Sequence, residues 1–354
     1  MLSKTKRHIM LKGGESVGRG NDKCAYDHTE TIMCRTKTKL KRVPIKRDRV
    51  ALVMSNQVYK VERASARMIT KRIPKGIATQ VCILLDTKLA CSDTIAPASC
   101  MLHDHQEQEK EEPQLGRPVK LVTATAPRGV ARYKFKNIQD FGYALINVVY
   151  ALWVFKSHGL VHGDIKLENM VLVEDQFKRQ VFKLIDMASL QTRSDVHAAI
   201  LRADKTLLGD SRGSEFCFAK AHSVWMTRRG LADKLLKKHN VDQQSVMEVL
   251  VDNIDMFRFA LLVKNLCALN PKLGVKTLHS KLTASPGDFA HNPKMYRARL
   301  VVSDLCQAGF VKNKPAKTEN ESFATLQSVY SVILTTCSLD LPSVLPEYLE
   351  RPGN

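Results

Sequence analysis

His162-Gly163-Asp164-Ile165-Lys166-Leu167-Glu168-Asn169, followed by Phe182-Lys183-Leu184-Ile185-Asp186, is the part of this 354-residue chain whose residue types and spacing could do chemistry. Two carboxylates, a side-chain amide and a lysine in so short a stretch suit the movement of a phosphoryl group. That reaction depends mainly on positioning and charge neutralisation. One carboxylate orients the attacking hydroxyl, while an amide and a second carboxylate hold Mg²⁺ on the phosphates. Mg²⁺ is hard, prefers oxygen, and is commonly held by one or two carboxylates plus substrate phosphates, so no dedicated cage is required. Asp and Asn are also ordinary turn residues, and His-x-Asp alone would say little. The flanks decide the matter: Ala151 to His158, Gly159 and Leu160-Val161 predict an apolar helix, a glycine stop and a short strand leading into the loop.

The elements that must position this loop divide the chain in two. Asp140 to Ser157 is apolar around nearly its whole helical circumference, as a buried helix should be. Residues 17–125 read as strand-rich and irregular. Within them, Arg49 to Arg63 predicts a hairpin of Val50–Met54 and Val58–Glu62 about a Ser55-Asn56 turn. A charged, Gln-rich stretch near 103–114, closed by Pro113, reads as an exposed loop. Pro118 to Thr123 predicts a last strand, and Thr125 to Arg128 a hinge. The expected organisation is a basic extension over 1–16, a small antiparallel β-rich domain over 17–125, and a larger, mainly helical domain over 126–354, which is an α+β fold.

The spacing H-x-D-x-x-x-x-N with an Asp behind an apolar strand resembles the catalytic and metal-binding loops of protein kinases. The resemblance implies a bilobal kinase fold and roles for single residues. Asp164 would accept or orient the substrate hydroxyl, Lys166 would steady the γ-phosphate of ATP, and Asn169 and Asp186 would hold Mg²⁺ and, through it, the nucleotide. His162 would be structural. Asp255, in Ile254-Asp255-Met256-Phe257, resembles the Asp that opens the long buried kinase helix and would brace the loop backbone. A helix that simply starts with an Asp would also account for it. Lys166, two residues after Asp164, implies a Ser/Thr protein substrate rather than a metabolite.

Gly213-Ser214-Glu215-Phe216-Cys217-Phe218-Ala219-Lys220-Ala221-His222, then Thr227-Arg228-Arg229-Gly230, is similar to the activation segment of the casein-kinase-one and vaccinia-related kinase group. That group also lacks Ala-Pro-Glu. His-Gly-Asp in place of His-Arg-Asp leaves no arginine for a phosphorylated activation loop, so such switching is not implied. Arg228 and Arg229 would bind an anion near the substrate or form structural ion pairs. The stretch near 230–252, rich in lysine at Lys234, Lys237 and Lys238, reads as an inserted surface helix. Divergence of this kind suits a large DNA virus and a fast-changing cellular kinase equally.

The nucleotide-binding half is less regular. Gly18-Arg19-Gly20-Asn21-Asp22-Lys23 resembles a kinase Gly-rich loop with Lys23 at the third glycine, and the two glycines would let backbone approach ATP phosphates. Lys60, in Val-Tyr-Lys-Val-Glu, resembles the strand lysine that reaches the phosphates; Lys37 stands at the more usual distance from the glycines. With Lys60, no acidic partner appears from Arg63 to Leu85; with Lys37, Glu62 is available. Asp186-Met187-Ala188 replaces Asp-Phe-Gly. A catalytically silent scaffold that binds partners through a basic small lobe is the alternative these departures raise.

The net charge of +20 is uneven: residues 1–75 hold 20 Lys and Arg against 6 Asp and Glu. Such a field favours acidic protein segments, nucleic acid or anionic membranes, or serves only as a solvated face. Nine cysteines, an odd number without C-x-x-C spacing, predict a reducing intracellular compartment, cytoplasm or nucleus, and no structural disulfides. The charged N-terminus lacks the apolar segment of a signal peptide. Phe141 to Phe155 and Ser322 to Leu339 read as core helices rather than membrane spans.

Overall fold

A computed structural model describes residues 18–19, 23–26, 32–35, 39–45, 49–95, 119–125, 133–175, 177–201, 217–278, 281–282, 293–309 and 326–343. The class is α+β: many helices with antiparallel sheets. The chain forms two compact units. The first takes residues 1–132 and regains 171–178 and 183–188; the second holds 133–170, 179–182 and 189–354.

The first unit is built on a seven-stranded antiparallel sheet. Its strands are β1 (Gly18–Arg19), β2 (Lys23–Tyr26), β3 (Ile32–Arg35), β4 (Leu40–Val43), β5 (Arg49–Ser55), β6 (Leu85–Ile95) and β7 (Val119–Thr125), in the order β1-β2-β5-β7-β6-β3-β4. β5 is central and nearly all apolar because both of its faces are covered. Ala51 and Val53 pack with Cys24, Ile32, Ile45 and Cys91. The alternate residue Met54 packs with Tyr59 from the helix that follows, with Leu52 beside it. Side chains of a strand point alternately to its two faces, so this division is the pleat made visible.

After β5 the chain departs from the expected hairpin. Asn56–Arg72 is a helix, α1, not a turn and a second strand. Ser55 is its N-cap and accepts a hydrogen bond from Val58 N at 3.3 Å. The buried residues Tyr59, Glu62, Ser65, Ala66 and Ile69 recur at helical spacing, whereas Val61, which made the stretch look alternating, is exposed. Lys71 and Arg72 lie in the last turn, where the helix dipole favours cations. A short helix, α2 (Lys75–Val81), follows after Pro74.

Cys34 and Cys91 are joined by a disulfide, with Cα atoms 5.8 Å apart. This corrects the expectation of no structural disulfides. β3 and β6 pair antiparallel and bring together two cysteines 57 residues apart, a proximity that spacing along the chain could not show. The cysteine argument for a reducing compartment loses its support at this pair.

The second unit is helical. α3 (Ile138–Ser157) is capped by Asn137, whose Oδ1 accepts from Asp140 N at 2.7 Å, and it is buried on almost every side. It is the one described helix long and apolar enough to cross a membrane, and it lies in the core of this unit. Short strand β8 (Leu160–Val161) follows and pairs antiparallel with β11 (Gln191–Thr192); between them in the chain come β9 (Met170–Glu174), most of which belongs to the first unit, and β10 (Gln180–Leu184), which is divided between the two units. The remaining helices are α4 (Arg193–Leu201), α5 (Cys217–Thr227), α6 (Arg229–His239), α7 (Gln243–Leu269), α8 (Pro293–Gly309) and α9 (Leu326–Cys337).

Trp225, Val246, Leu250, Val301 and Leu305 belong to one buried cluster shared by α5, α7 and α8. Gly142 lets α3 approach α9: a Cβ there would stand 2.6 Å from Cys337 Cβ. The lysine-rich stretch is α6, with Lys234, Lys237 and Lys238 exposed. The helix that holds Asp255 begins earlier than expected, at Gln243, and is capped by Asp242 accepting from Ser245 N at 2.8 Å. Asp255 is therefore mid-helix, and a role as a helix-opening residue is corrected.

Candidate functional site

The loop from His162 to Asn169 is held from beneath by α7. Asp255 accepts from His162 N through Oδ2 and from Gly163 N through Oδ1, each at 2.8 Å. One buried carboxylate thus satisfies two adjacent backbone donors that would otherwise be stranded at the core. His162 is fully buried, stacks on Phe155 and accepts from Asp164 N through Nδ1 at 3.2 Å, which is the structural role expected of it. Gly163 has φ +76°, and a Cβ there would meet Ser189 O at 3.0 Å. The turn that presents Asp164 therefore uses the freedom of glycine.

Asp164, Lys166 and Asn169 are brought together. Lys166 Nζ lies 2.6 Å from Asp164 Oδ2. Asn169, on the 3₁₀ turn Leu167–Asn169 and buried, donates from Nδ2 to Asp164 O at 2.9 Å and to Oδ2 at 2.8 Å. With its amide committed to Asp164, Asn169 Oδ1 is a hard acceptor of the kind Mg²⁺ prefers. The turn is supported by Tyr133, whose hydroxyl donates to Leu167 O at 2.8 Å and lies 3.1 Å from Met170 O. Burial, and then the charge of Glu168, push the Tyr133 phenol up to about 12. Asn270, at the end of α7, accepts from Phe135 N at 3.1 Å and donates to Tyr133 O at 2.9 Å, fixing the segment that carries Tyr133.

Asp186 belongs to the first unit, half-buried, with φ +63°. Aspartate tolerates this left-handed conformation better than most residues. Just before it, Lys183 donates to Thr79 O at 2.7 Å, and burial lowers its pKa. Gly18 lies on the edge strand β1; Gly20, Lys37 and Gly213–Phe216 fall outside the described residues.

Lys60 is exposed on α1, which corrects its placement on a strand. β5, the strand before that helix, holds no lysine; its Met54 stands in register with Lys23 of β2 and Lys120 of β7. Glu62 is buried on α1, so the helix after the strand does carry an acidic residue. Arg228 and Arg229 are engaged in support: Arg228 donates to Ala308 O, and Arg229 donates to Leu201 O and lies over the Trp225 ring.

Three supports of the loop escaped the sequence: Arg258, Tyr133 and Asn270. Arg258 donates from Nη1 to Asp164 Oδ1 at 2.8 Å. Its position three residues after Asp255, hence on the same helical face, was the available signal. Tyr133 and Asn270 act through backbone carbonyls and amides, for which sequence spacing offers no sign. The chain matches no family model and no curated protein.

Proposed function

We propose that the chain is a Ser/Thr protein kinase that transfers the γ-phosphate of Mg-ATP to a protein hydroxyl. The observation that carries this reading is Asp164: its loop is pinned by Asp255 and its carboxylate is met by Lys166 and Asn169. An ordinary polar turn has no need of a buried carboxylate under its backbone. In the bilobal kinase fold this assignment entails, Asp164 orients the hydroxyl and Lys166 steadies the γ-phosphate. Asn169 and Asp186 would each offer an oxygen to Mg²⁺, which would neutralise phosphate charge when bound. The test is transfer from labelled Mg-ATP to casein and histone. Phosphoserine or phosphothreonine should form, and Asp164→Asn should abolish it; transfer that survives this change removes Asp164 from the chemistry.

A partner-binding scaffold is favoured by a different observation, the exposed cationic face of the first unit. Lys60, Arg67 and Lys71 are exposed along α1, with Arg63 between them, and Lys41 and Arg42 are exposed on edge strand β4. A row of this kind fits an acidic protein segment or a nucleic-acid backbone. The absence of any thermal shift with Mg-ATP, together with polyanion binding that weakens steeply with salt, would favour this reading.

A further inference from the structure

The two oxygens of Asp164 are held in different ways. Oδ1 receives Arg258, a residue fixed on the 27-residue helix α7 with its side chain 24% exposed. Oδ2 receives Lys166 Nζ and Asn169 Nδ2, both from the loop itself. In phosphoryl transfer, Lys166 and Asn169 have work elsewhere, on the γ-phosphate and on Mg²⁺. Arg258 has none. Asp255 and Arg258 stand three residues apart on one face of α7, so a single rigid element grips the loop backbone with the first and the carboxylate with the second.

We propose that Arg258 is the positioning residue of the site. It anchors Asp164 through Oδ1, so that Oδ2 is presented to the substrate hydroxyl once Lys166 turns from it to the nucleotide phosphate. The inference rests on the kinase reading and adds to it the atom of Asp164 that accepts the proton and the group that keeps it aimed. A guanidinium suits the task because its planar fork is preorganised, whereas an ammonium on a flexible stem would hold the same oxygen more loosely. Misplacing a reacting group by about 1 Å can cost on the order of 100-fold in rate, and this loss falls on turnover rather than on nucleotide binding.

The experiment compares Arg258→Met, Arg258→Lys and Asp164→Asn, with the Arg258→Met/Asp164→Asn double variant, in the full chain. Arg258→Met should lower kcat by about 100-fold and Arg258→Lys by about 10-fold, with KM for Mg-ATP within about two-fold of the parent. Arg258→Met should also lower Tm more in the parent than in the Asp164→Asn background, because the two side chains are in contact. An unchanged kcat, a rise in KM that accounts for the loss, or strictly additive Tm changes would each overturn the positioning role. A parent chain that transfers no phosphate, with the Tm coupling intact, overturns the kinase reading and the role with it. That outcome differs from a failure of the inference alone, in which the parent is active.

Discussion

The loop at 162–169 and the strand–helix segment at 49–72 differ in how far their local spacing determines their structure. At the loop, the residues singled out by spacing are brought together, Lys166 and Asn169 both meeting Asp164, and the helix beneath supplies the bracing carboxylate. At the second segment an alternating pattern, Val58-Tyr59-Lys60-Val61-Glu62, belongs to a helix, and the lysine it would have placed on a strand faces solvent. The lesson concerns what fixes each region. A loop that must present several polar groups is constrained residue by residue, whereas a short apolar alternation is satisfied by either period until its capping residue and its longer repeat are weighed.

The sharpest way to break the comparison is to remove the brace. Asp255→Ala strands two backbone donors in a buried place, each costing about 1–3 kcal/mol, and should lower Tm strongly while abolishing transfer. If Asp255→Ala keeps both stability and activity, the loop is held by something other than α7, and the contrast between the regions disappears.

Gly163→Ala comes next. An L-residue at φ +76°, with its Cβ against Ser189 O, should destabilise by about 1–2 kcal/mol, measured by denaturant midpoint. A smaller cost would mean that the turn can relax.

The third test concerns the support under Asn169. Tyr133→Phe removes the hydrogen bond to Leu167 O at a cost of about 1 kcal/mol. The pH dependence has a definite sign. The folded pKa is raised to about 12 from an ordinary value of 10.0, so the phenol's contribution is complete below pH 10 and fades as pH rises through 12. Burial likewise raises Cys82 and Cys337 to about 12, and their contributions fade from pH 9 upward. Stability should therefore fall across pH 9 to 12, and Tyr133→Phe should remove the phenol's share, seen as a shallower loss above pH 10. An unaltered alkaline profile would place the proton loss elsewhere.

These residues also mark how far sequence could reach. Asp164, Lys166 and Asn169 lie within six residues, so their grouping is a matter of local spacing. Asp255 was legible through the resemblance of its segment to the long buried kinase helix, although its place in mid-helix was not. Arg258 touches the loop across 94 positions, and Tyr133 contacts main-chain atoms, which have no sequence identity. The Cys34–Cys91 pair depends on which strands are neighbours in a seven-stranded sheet, a property of topology. The helical class followed from periodicity. The start of α1 did not, because Ser55-Asn56 serves equally as a turn and as a helix cap.

The smallest expected effect is also the most discriminating between the two regions. Lys60 is exposed on α1, and Lys60→Ala should change stability by no more than about 0.5 kcal/mol, read by denaturant midpoint, and leave transfer within about two-fold. A loss of more than ten-fold on Lys60→Ala would return the phosphate-binding role to the helix. It would also show that the region sequence misread in structure had been read rightly in chemistry.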